Sequence, residues 1–390
     1  MQTKGRAPSA EAAYDAKPWL QHYPPDVPAT LPPVSESLWD VFEDVVARHG
    51  DRPALVFQGY EMTYRTLHGH ARRMSDALTR AGVEKGDVVL VLLPNIPHFP
   101  VAYYGTLRLG AIVAAIPPTA VEREVERFIR DTDARIVVTL DLLYDKLANV
   151  WERCGVQRVV VGKVTDFMPP WVRLAGPFLK RVPKPKQAIP FSREVVPFRY
   201  FLGSGREMGR DARVAPEDVA LLQYTGGTTG TPKGAMLTHS SLISNAQQMV
   251  AWFPTLKEGG ETMLAVLPFF HVYGVTLVMN AGLLLAARTV LIASGWAPQE
   301  VFEAIRRYRP SIFPGVPTLY VAFLNDERSR RYDLSSIDVC VCGGAPLPAE
   351  VKRQFEELTG GHLYEGYGLS EASPCTHAQP YTGFTKPGIG

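Results

Sequence analysis

Cysteine is scarce in this chain, with four residues among 390. They are scattered, and no second C-x-C motif or pair of histidines accompanies them, so a zinc site is not expected. Scattered cysteines without a pairing pattern are typical of a reducing compartment, and we expect the cytoplasm. The four are Cys154, Cys340, Cys342 and Cys375.

An excess of either charge is also missing. Lysine and arginine number 41 against 39 aspartates and glutamates, a net charge of +2, which gives no reason to expect a nucleic-acid partner. The N-terminus lacks the charged-then-apolar pattern of a secretion signal. The one long apolar stretch, Val275 to Ala293, contains Asn280 and Arg288 and divides into a helix and a strand, so we expect no membrane span.

What the chain does contain is an alternation of helical and extended patterns. With 390 residues and 46% hydrophobic content, two or three lobes with sizeable cores are expected. Apolar residues recur at helical spacing from Leu38 to Val46, with Ser37 as the expected N-cap and Gly50 as the expected end. Continuous apolar runs between such segments are typical of parallel strands covered by helices on both faces.

The expected strands cover 54–58, 87–93, 111–116, 136–140, 156–161, 219–223, 262–267, 289–292, 311–313, 337–341 and 362–365. The expected helices cover 64–81, 241–253, 275–287, 298–307 and 348–359, with another ending near Leu109. Residues 1–34 are rich in proline and alanine and are expected to form an extended lead-in.

Residues 166–210 interrupt this alternation. The stretch is rich in proline, and its basic residues outnumber its acidic ones and alternate with aromatic residues. Such a composition suits contact with an anionic membrane surface, and it suits a solvated linker or surface insertion equally. The basic residues include Lys180, Arg181, Lys184 and Lys186.

A glycine- and threonine-rich loop runs from Tyr224 to Gly234. Glycines let backbone N–H groups approach an anion, hydroxyls add donors and Lys233 adds a charge, which together suit a polyphosphate. Neither a Walker loop nor a dinucleotide fingerprint fits, because Pro232 precedes Lys233 and Gly226-Gly227 are adjacent. A flexible surface hairpin is the structural alternative.

Three further segments follow predicted strands. Pro268 to Gly274 contains one histidine, His271, at a strand end, where ligands bind in parallel sheets, although a lone histidine is often structural. Gly343-Gly344-Ala345-Pro346 would let a flat ring lie against the backbone, or is an ordinary turn. In 365–371, Tyr367 lies between two glycines and is followed by Ser370 and Glu371. The hydroxyl and the carboxylate suit a phosphate oxygen and a Mg²⁺ ion. The structural alternative is a strand-to-turn peptide with a helix cap.

Together these segments resemble the adenylate-forming superfamily of acyl-CoA synthetases, luciferases and peptide-synthetase adenylation domains. The glycine loop, Pro-Phe-x-His, Gly-Gly-Ala-Pro and Tyr-Gly-Leu-Ser-Glu occur in the family's order and at similar spacing. The resemblance runs from about Lys17 to the last residue and is greatest to bacterial long-chain fatty-acid–CoA ligases. Other shared segments are 93–95, 102–105 and 138–141.

This resemblance implies roles for individual residues. The predicted phosphate loop is Thr225, Gly226, Gly227, Thr228, Thr229, Gly230 and Lys233. The predicted adenine slot is Gly343, Gly344, Ala345 and Tyr367, with Pro346, Glu365, Gly366 and Gly368 beside it. Ser370 would contact the α-phosphate, Glu371 with Thr225 would bind Mg²⁺, and His271 would lie by the carboxylate. Val272 to Val275 would line the acyl entry. Val272 is also predicted to contact the cofactor. The predicted catalytic residues are His271, Lys233, Ser370 and Glu371.

The implied reaction is activation of a fatty acid by ATP with Mg²⁺, followed by transfer of the acyl group to CoA. An amino-acid substrate would need an acidic partner for its ammonium group, and the Pro-Phe-Phe-His segment has none. Its apolar neighbours suit an acyl chain, whose length these residues do not indicate, and the resemblance implies a medium to long chain. A homodimer and a peripheral contact with the inner face of the membrane stay open.

Two features depart from the family pattern. In 116–121, Pro117 and Ala120 replace the usual asparagine and aromatic. The chain also stops at Gly390, where the family continues into the rest of a third subdomain and a C-terminal lid domain with the adenylation lysine. We therefore expect either a shortened ligase or a catalytically incompetent module that binds nucleotide, acyl-adenylate or fatty acid.

The expected fold is α/β, the large N-terminal domain of adenylate-forming enzymes, with two packed, mostly parallel αβαβα subdomains truncated before the third. The expected divisions are a lead-in at 1–34, a first subdomain at 35–215 that includes the insertion at 166–210, and a second at 216–390. The second subdomain would carry the ATP loop and the adenine and Mg²⁺ site.

Overall fold

The fold is described from a computed structural model that covers residues 14–15, 17–169, 184–205, 213–225, 233–293 and 297–382. Its strands are β1 (Pro53–Phe57), β2 (Tyr60–Thr63), β3 (Val88–Leu92), β4 (Ile112–Ala115), β5 (Ile136–Leu140), β6 (Arg158–Gly162), β7 (Val195–Pro197), β8 (Val219–Thr225), β9 (Lys233–Thr238), β10 (Thr262–Ala265), β11 (Arg288–Leu291), β12 (Val339–Cys342), β13 (His362–Gly368) and β14 (Cys375–Ala378). Its α-helices are Leu38–His49, Tyr64–Arg80, His98–Arg108, Glu122–Thr132, Phe198–Ser204, His239–Trp252, Ala281–Leu284, Pro298–Tyr308, Pro317–Asn325 and Ala349–Thr359.

One sheet has seven strands in the order β7-β6-β5-β3-β4-β8-β9. All neighbours are parallel except the antiparallel pair β8 and β9. Leu90 and Val137 pack with the helix Glu122–Thr132 on one face, while Val89 and Val138 enter the main core on the other. Both faces are covered, as the continuous apolar strands predict.

The second sheet begins with the order β10-β11-β1-β2. It continues from β10 through single parallel bridges at Ile312 to β12, and from there to β13 and β14. The predicted strand at 311–313 is therefore wrong in extent, since Ile312 forms only isolated bridges. Pro310 and Pro314 flank it and lack the N–H groups that a longer ladder needs.

The two sheets share one hydrophobic core. Val89 and Val91 of β3 belong to the same buried cluster as Leu55 of β1 and Met263 of β10. The sheets do not follow the predicted boundary at residues 215 and 216, because β1 and β2 pair within the sheet of β10, and β8 and β9 complete the sheet of β4. The division into subdomains at that position stays a prediction.

The start of the chain is docked on the protein rather than only extended, which corrects the expectation for the described part of the lead-in. Pro18–His22 forms a 3₁₀ helix, and Val27 is buried. The Tyr23 ring packs edge-on against Trp252, with centroids 5.0 Å apart. The hydroxyl of Tyr381 donates a hydrogen bond to Asp26 at 3.2 Å.

The insertion at 166–210 also contributes to the fold. Val195–Pro197 supplies edge strand β7, and Phe198 and Phe201 are buried in the core, so these aromatics do not face outward. Phe191 and Tyr200 are exposed. Residues 170–183 and 206–212 lie outside the described residues, so membrane contact through this stretch stays a prediction.

The predicted helix at 275–287 takes another form. Gly274–Asn280 is a π-helix that continues into the α-helix Ala281–Leu284. A Cβ at Gly274 would lie 2.2 Å from the carbonyl oxygen of Pro268, so only glycine allows this approach. Within the described residues, no helix is both long enough and apolar enough to cross a membrane.

Candidate functional site

The base of the glycine loop is held by the last residues of β8 and the first of β9. Thr225 pairs with Lys233 across the two strands, and its hydroxyl donates to the Lys233 carbonyl at 3.4 Å. Lys233 is exposed. The hydroxyl of Tyr224 donates to Asp131, and burial and this carboxylate raise the pKa of Tyr224 well above its ordinary value. Of the predicted phosphate loop, Gly226 to Gly230 lie outside the described residues.

The segment that carries His271 follows β10 and is held by Asn95. The Asn95 amide donates to the carbonyls of Ala265 at 3.0 Å and Leu267 at 2.8 Å. Its Oδ1 accepts from the Phe269 N–H at 2.8 Å. Asn95 follows β3 in the chain, so these bonds connect the two sheets at the carboxyl ends of β3 and β10.

His271 is exposed to solvent, and the protein around it removes part of its hydration. This loss of hydration lowers the pKa of His271, which favours the neutral imidazole. Its Nδ1 accepts from the Tyr273 N–H at 3.2 Å. Val272 is fully buried in the main core, so its side chain does not face the surface on which His271 lies.

Tyr273 joins the His271 segment to β12. Its hydroxyl donates to the carbonyls of Val341 at 2.8 Å and Gly315 at 3.2 Å. Burial raises the pKa of Tyr273 well above its ordinary value, so the phenol stays protonated and keeps donating. The connection ends two residues before Gly343, the first residue of the predicted adenine slot.

The predicted adenine slot is built from two adjacent parallel strands. Gly343 to Pro346 follow β12, and Gly344 has a φ of +85°, a conformation that favours glycine. A Cβ on Gly343 would lie 3.4 Å from the Gly366 carbonyl, so the two strand ends approach closely. The buried Glu365 accepts a hydrogen bond from the Leu347 N–H at 3.0 Å and ties the slot loop to β13.

Tyr367 is an aromatic surface open to solvent. Its side chain is 46% exposed although it lies at the end of β13 between two glycines. A Cβ on Gly368 would come within 2.2 Å of the Pro374 carbonyl, so this glycine allows β13 to turn back against 374–375. An exposed ring on a fixed backbone is a suitable stacking surface for a base.

Ser370 and Glu371 follow in a 3₁₀ turn, Ser370–Ala372, whose Cα atoms come within 8 Å of Cα atoms in β8 and β9. Ser370 is half-buried and Glu371 is exposed. Among the residues that the structure describes, Glu371 forms no ion pair, which leaves its carboxylate available to a cation. No cluster of three or more acidic, histidine or cysteine side chains forms a metal site in the same part of the chain.

The carboxyl ends of β10, β12 and β13 lie at one edge of the second sheet, because these strands run parallel through the bridge at Ile312. The end of β8, where the glycine loop begins, lies beside this edge, because the Nε2 of Gln223 donates to the Phe270 carbonyl at 3.3 Å. The structure thus brings together Thr225, Lys233, His271, the slot at 343–346 and Tyr367 to Glu371.

Asn95 and Gln223 were not anticipated as contributors to the site. Asn95 lies in a segment that resembles the family, and Gln223 ends a predicted strand. The backbone groups with which they form hydrogen bonds are about 170 residues away for Asn95 and 47 residues away for Gln223. A polar amide at or just after the end of an apolar strand is a sequence signal, but it does not identify the backbone groups that the amide will contact.

The chain is similar to known proteins over almost its whole length. A sequence profile described as AMP-binding enzyme matches residues 42–390. A long-chain-fatty-acid–CoA ligase of Bacillus subtilis is 40% identical over 376 residues, with 95% of this chain and 66% of the relative covered. A protein of the same name from Escherichia coli O157:H7 is 35% identical, with 94% and 66% covered. The chain thus spans slightly less than two thirds of the length of these relatives.

Solved structures show the same fold. A long-chain-fatty-acid–CoA ligase from Archaeoglobus fulgidus superposes with a TM-score of 0.77 at 25% identity, over 92% of this chain and 69% of that one. An anthranilate CoA ligase in complex with anthranoyl-AMP gives a TM-score of 0.77 at 23% identity, over 92% and 64%. The mostly parallel α/β architecture matches that of adenylate-forming enzymes, which confirms the predicted fold class.

Proposed function

The chain belongs to the AMP-binding enzyme family, and on that premise we propose that it activates a fatty acid with ATP and passes the acyl group to CoA. One observation carries the proposal. The ends of β8, β10, β12 and β13 and the start of β9 lie close together and carry a cation, an imidazole, a glycine-lined turn with an exposed aromatic, and a free carboxylate. The relatives named long-chain-fatty-acid–CoA ligases support the fatty acid as substrate.

ATP would lie along this edge from the slot to the glycine loop. Adenine would stack on Tyr367 and against Gly343 and Gly344, where a side chain would fill the space. Ser370 would donate to the α-phosphate, and Thr225 and Lys233 would contact the β- and γ-phosphates together with the loop at 226–230.

Magnesium fits the donors that are present. Glu371 offers a carboxylate and Thr225 a hydroxyl, and Mg²⁺ is commonly held by one or two protein oxygens together with substrate phosphates. The metal would neutralise negative charge on the phosphates during the transfer. Glu371 and Thr225 would therefore position the ion rather than enclose it.

His271 would lie beside the fatty carboxylate. In the first step a carboxylate oxygen bonds to the α-phosphorus while the bond to pyrophosphate breaks, giving acyl-adenylate. In the second, CoA loses its thiol proton to solvent, the thiolate sulfur bonds to the acyl carbon, and the bond from that carbon to the phosphate oxygen breaks so that AMP leaves. Neutral imidazole can donate a hydrogen bond without forming a fixed ion pair with the acid. Most of the rate in such transfers comes from holding the reactants in line.

The acyl chain would enter beside the segment 272–275, whose last two residues begin the π-helix Gly274–Asn280. Val272 and Val275 are buried in the main core, so they would support this entry from beneath rather than contact the chain directly. We also propose a peripheral membrane contact through 166–210, supported by the exposed Phe191 and Tyr200.

The test measures pyrophosphate release by the chain with ATP, Mg²⁺ and dodecanoate. Release at rates typical of enzymes supports the ligase, and binding of both ligands without release supports the binding module instead. Absence of ATP binding contradicts the ligase, and absence of binding of both ATP and dodecanoate contradicts the binding module as well.

We predict that Glu371→Gln weakens the affinity for MgATP, because the neutral amide is a poorer ligand for the cation. The control is Glu327→Gln, at an exposed glutamate that forms a surface ion pair with Arg331. Calorimetric titration with and without Mg²⁺ measures the effect. Equal MgATP affinity of the Glu371 variant and the unmodified chain would exclude the metal role.

A further inference from the structure

The segment from Ala265 to Phe270 is held by two buried amide side chains from the seven-stranded sheet. Asn95 is 3% exposed, and both of its N–H groups and its oxygen are engaged by Ala265, Leu267 and Phe269. The loop before His271 is therefore fixed relative to the end of β3.

Gln223 holds the next residue of the same segment. It is 2% exposed, and its Nε2 donates to the Phe270 carbonyl and to the carbonyl of Tyr224, both at 3.3 Å. Gln223 precedes Thr225, the start of the glycine loop, by two residues, and Phe270 immediately precedes His271. One side chain thus bridges the backbone at the base of the phosphate loop and the backbone that carries the imidazole.

We propose that Asn95 and Gln223 are positioning residues that couple the nucleotide side of the site to the acid side. Asn95 sets the place of the segment before His271, and Gln223 sets its distance from the phosphate loop. The inference rests on the proposed function, because it concerns how the ATP loop and the acid-binding segment are aligned.

The physical reason is the short range of the reaction. A carboxylate oxygen must approach the α-phosphorus to about 3–3.5 Å, and a displacement of about 1 Å can cost roughly 100-fold in rate. The His271 segment and the glycine loop belong to different sheets. Without a direct connection between them, small shifts of one sheet against the other would alter this distance.

A merely structural role predicts loss of stability alone. A positioning role predicts in addition that the two ligands no longer influence each other, since the backbone link between their binding segments is gone. Coupling between two sites is commonly about 5- to 150-fold in affinity. It is measured by titrating the non-hydrolysable α,β-methylene ATP in the absence and presence of dodecanoate.

The variants are Gln223→Met, which keeps the length of the side chain and removes its donor, and Asn95→Asp, which replaces the donor by a second acceptor facing two carbonyls. The matched control is Asn245→Asp. Asn245 is 4% exposed and grips the backbone in the same way, donating to the Cys375 carbonyl at 2.7 Å and accepting from its N–H at 3.1 Å. In the described part of the chain its hydrogen bonds go to Gln248 and Cys375, and none goes to residues 265–271.

We expect all three variants to have lower unfolding midpoints. Only Asn95→Asp and Gln223→Met should reduce the coupling factor toward one. In both, the pKa of His271, followed by NMR of labelled histidine, should rise toward the ordinary value, because a loosened segment is better hydrated. Gln223→Met tests the proposal if Asn95→Asp does not fold.

A Gln223 variant with unchanged coupling and an unchanged His271 titration overturns the inference, as does an equal change in the Asn245 control. The histidine titration needs no ligand. If the unmodified chain binds neither probe, the proposed function fails. The pKa of His271 in Gln223→Met still tests the positioning role in that case. An unchanged pKa contradicts it, and a raised pKa supports it.

Discussion

Glu365 is a buried carboxylate whose contact with the adenine slot is a single hydrogen bond. It lies in β13 with 6% of its surface exposed, and its Oε1 accepts from the Leu347 N–H at 3.0 Å. We predict that Glu365→Leu costs about 1–3 kcal/mol of stability, because the Leu347 N–H is left without this acceptor. AMP affinity should fall as well, since the loop at 343–346 is then less fixed. Chemical denaturation and AMP titration measure the two effects.

The chain offers a matched control for this residue. Glu356 also accepts a hydrogen bond from a backbone N–H, that of Leu363 at 2.9 Å, at the opposite end of the same strand. Glu356→Leu should reduce stability and leave AMP affinity unchanged. Glu365→Gln keeps an acceptor oxygen and should bind AMP nearly as well as the unmodified chain. Equal AMP affinity in all three variants would show that Glu365 has no part in shaping the slot.

Single residues were predictable from sequence where a local motif carries the chemistry. The glycines around Tyr367 indicated an open aromatic surface, and the structure places that ring at 46% exposure. Asn95 and Gln223 were not predictable, because their roles depend on backbone groups that the fold brings from the other sheet. An amide side chain has no preferred partner until the tertiary structure supplies one.

Two helices meet at His239, which is fully buried at the first turn of His239–Trp252. Its Nδ1 accepts from the Leu38 N–H at 3.1 Å, so it satisfies a free donor at the start of Leu38–His49. Burial lowers the pKa of His239 to about 4, from an ordinary value of 6.5. Between these pH values the unfolded chain binds a proton that the folded chain does not, so stability falls as the pH falls through this window.

We predict that this one histidine removes about 2 kcal/mol of stability between pH 7 and pH 5. His239→Gln keeps an acceptor for the Leu38 N–H but cannot be protonated in this range. Urea denaturation at both pH values should therefore show a smaller loss in the variant. Replacing the exposed His362 by Gln is the control and should leave the pH dependence as it is. Parallel stability curves for the His239 variant and the unmodified chain would refute the prediction.

Element boundaries were predictable where periodicity and capping agree. Leu38–His49 begins after Ser37, whose hydroxyl accepts from the Asp40 N–H, as the sequence indicates. The helix Pro317–Asn325 was not predicted, because its side chains are apolar on most faces and show no clear stripe. The π-helix at Gly274–Asn280 was expected as an ordinary helix, because the apolar periodicity of a sequence does not distinguish the two forms. The close approach of Gly274 to the Pro268 carbonyl is likewise visible only in the folded chain.

In the whole molecule, both sheets combine strands distant in sequence. β1 lies beside β11, with Leu55 opposite Thr289, and β4 lies beside β8, with Val113 opposite Leu221. The alternation of elements predicts parallel sheets, but it contains no information on which strands become neighbours. The site depends on that order, because it places the end of β8 against the end of β10.

The start of the described chain reaches the adenine slot through a series of contacts. Tyr23 packs on Trp252, whose Nε1–H donates to the Gln379 carbonyl at 2.8 Å. The side-chain oxygen of Gln379 accepts from the Glu365 N–H at 3.1 Å. Residues 17–27 therefore support β13, which carries Tyr367, and β14. The predicted phosphate and Mg²⁺ contacts, Ser370 and Glu371, lie in the turn between these two strands.

We predict that Tyr23→Ala speeds amide hydrogen exchange in β13 and β14 by roughly 2- to 10-fold, the equivalent of losing one edge-on aromatic pair. Exchange in β3 should not change, because β3 lies in the core of the other sheet. Tyr14→Ala is the control, since Tyr14 is exposed and packs on Trp19 instead of Trp252. If β13 and β14 exchange equally in the two variants, the N-terminal segment covers this surface without supporting the slot. A selective effect of Tyr23→Ala would mean that a segment more than 300 residues away in sequence stabilises the nucleotide side of the site.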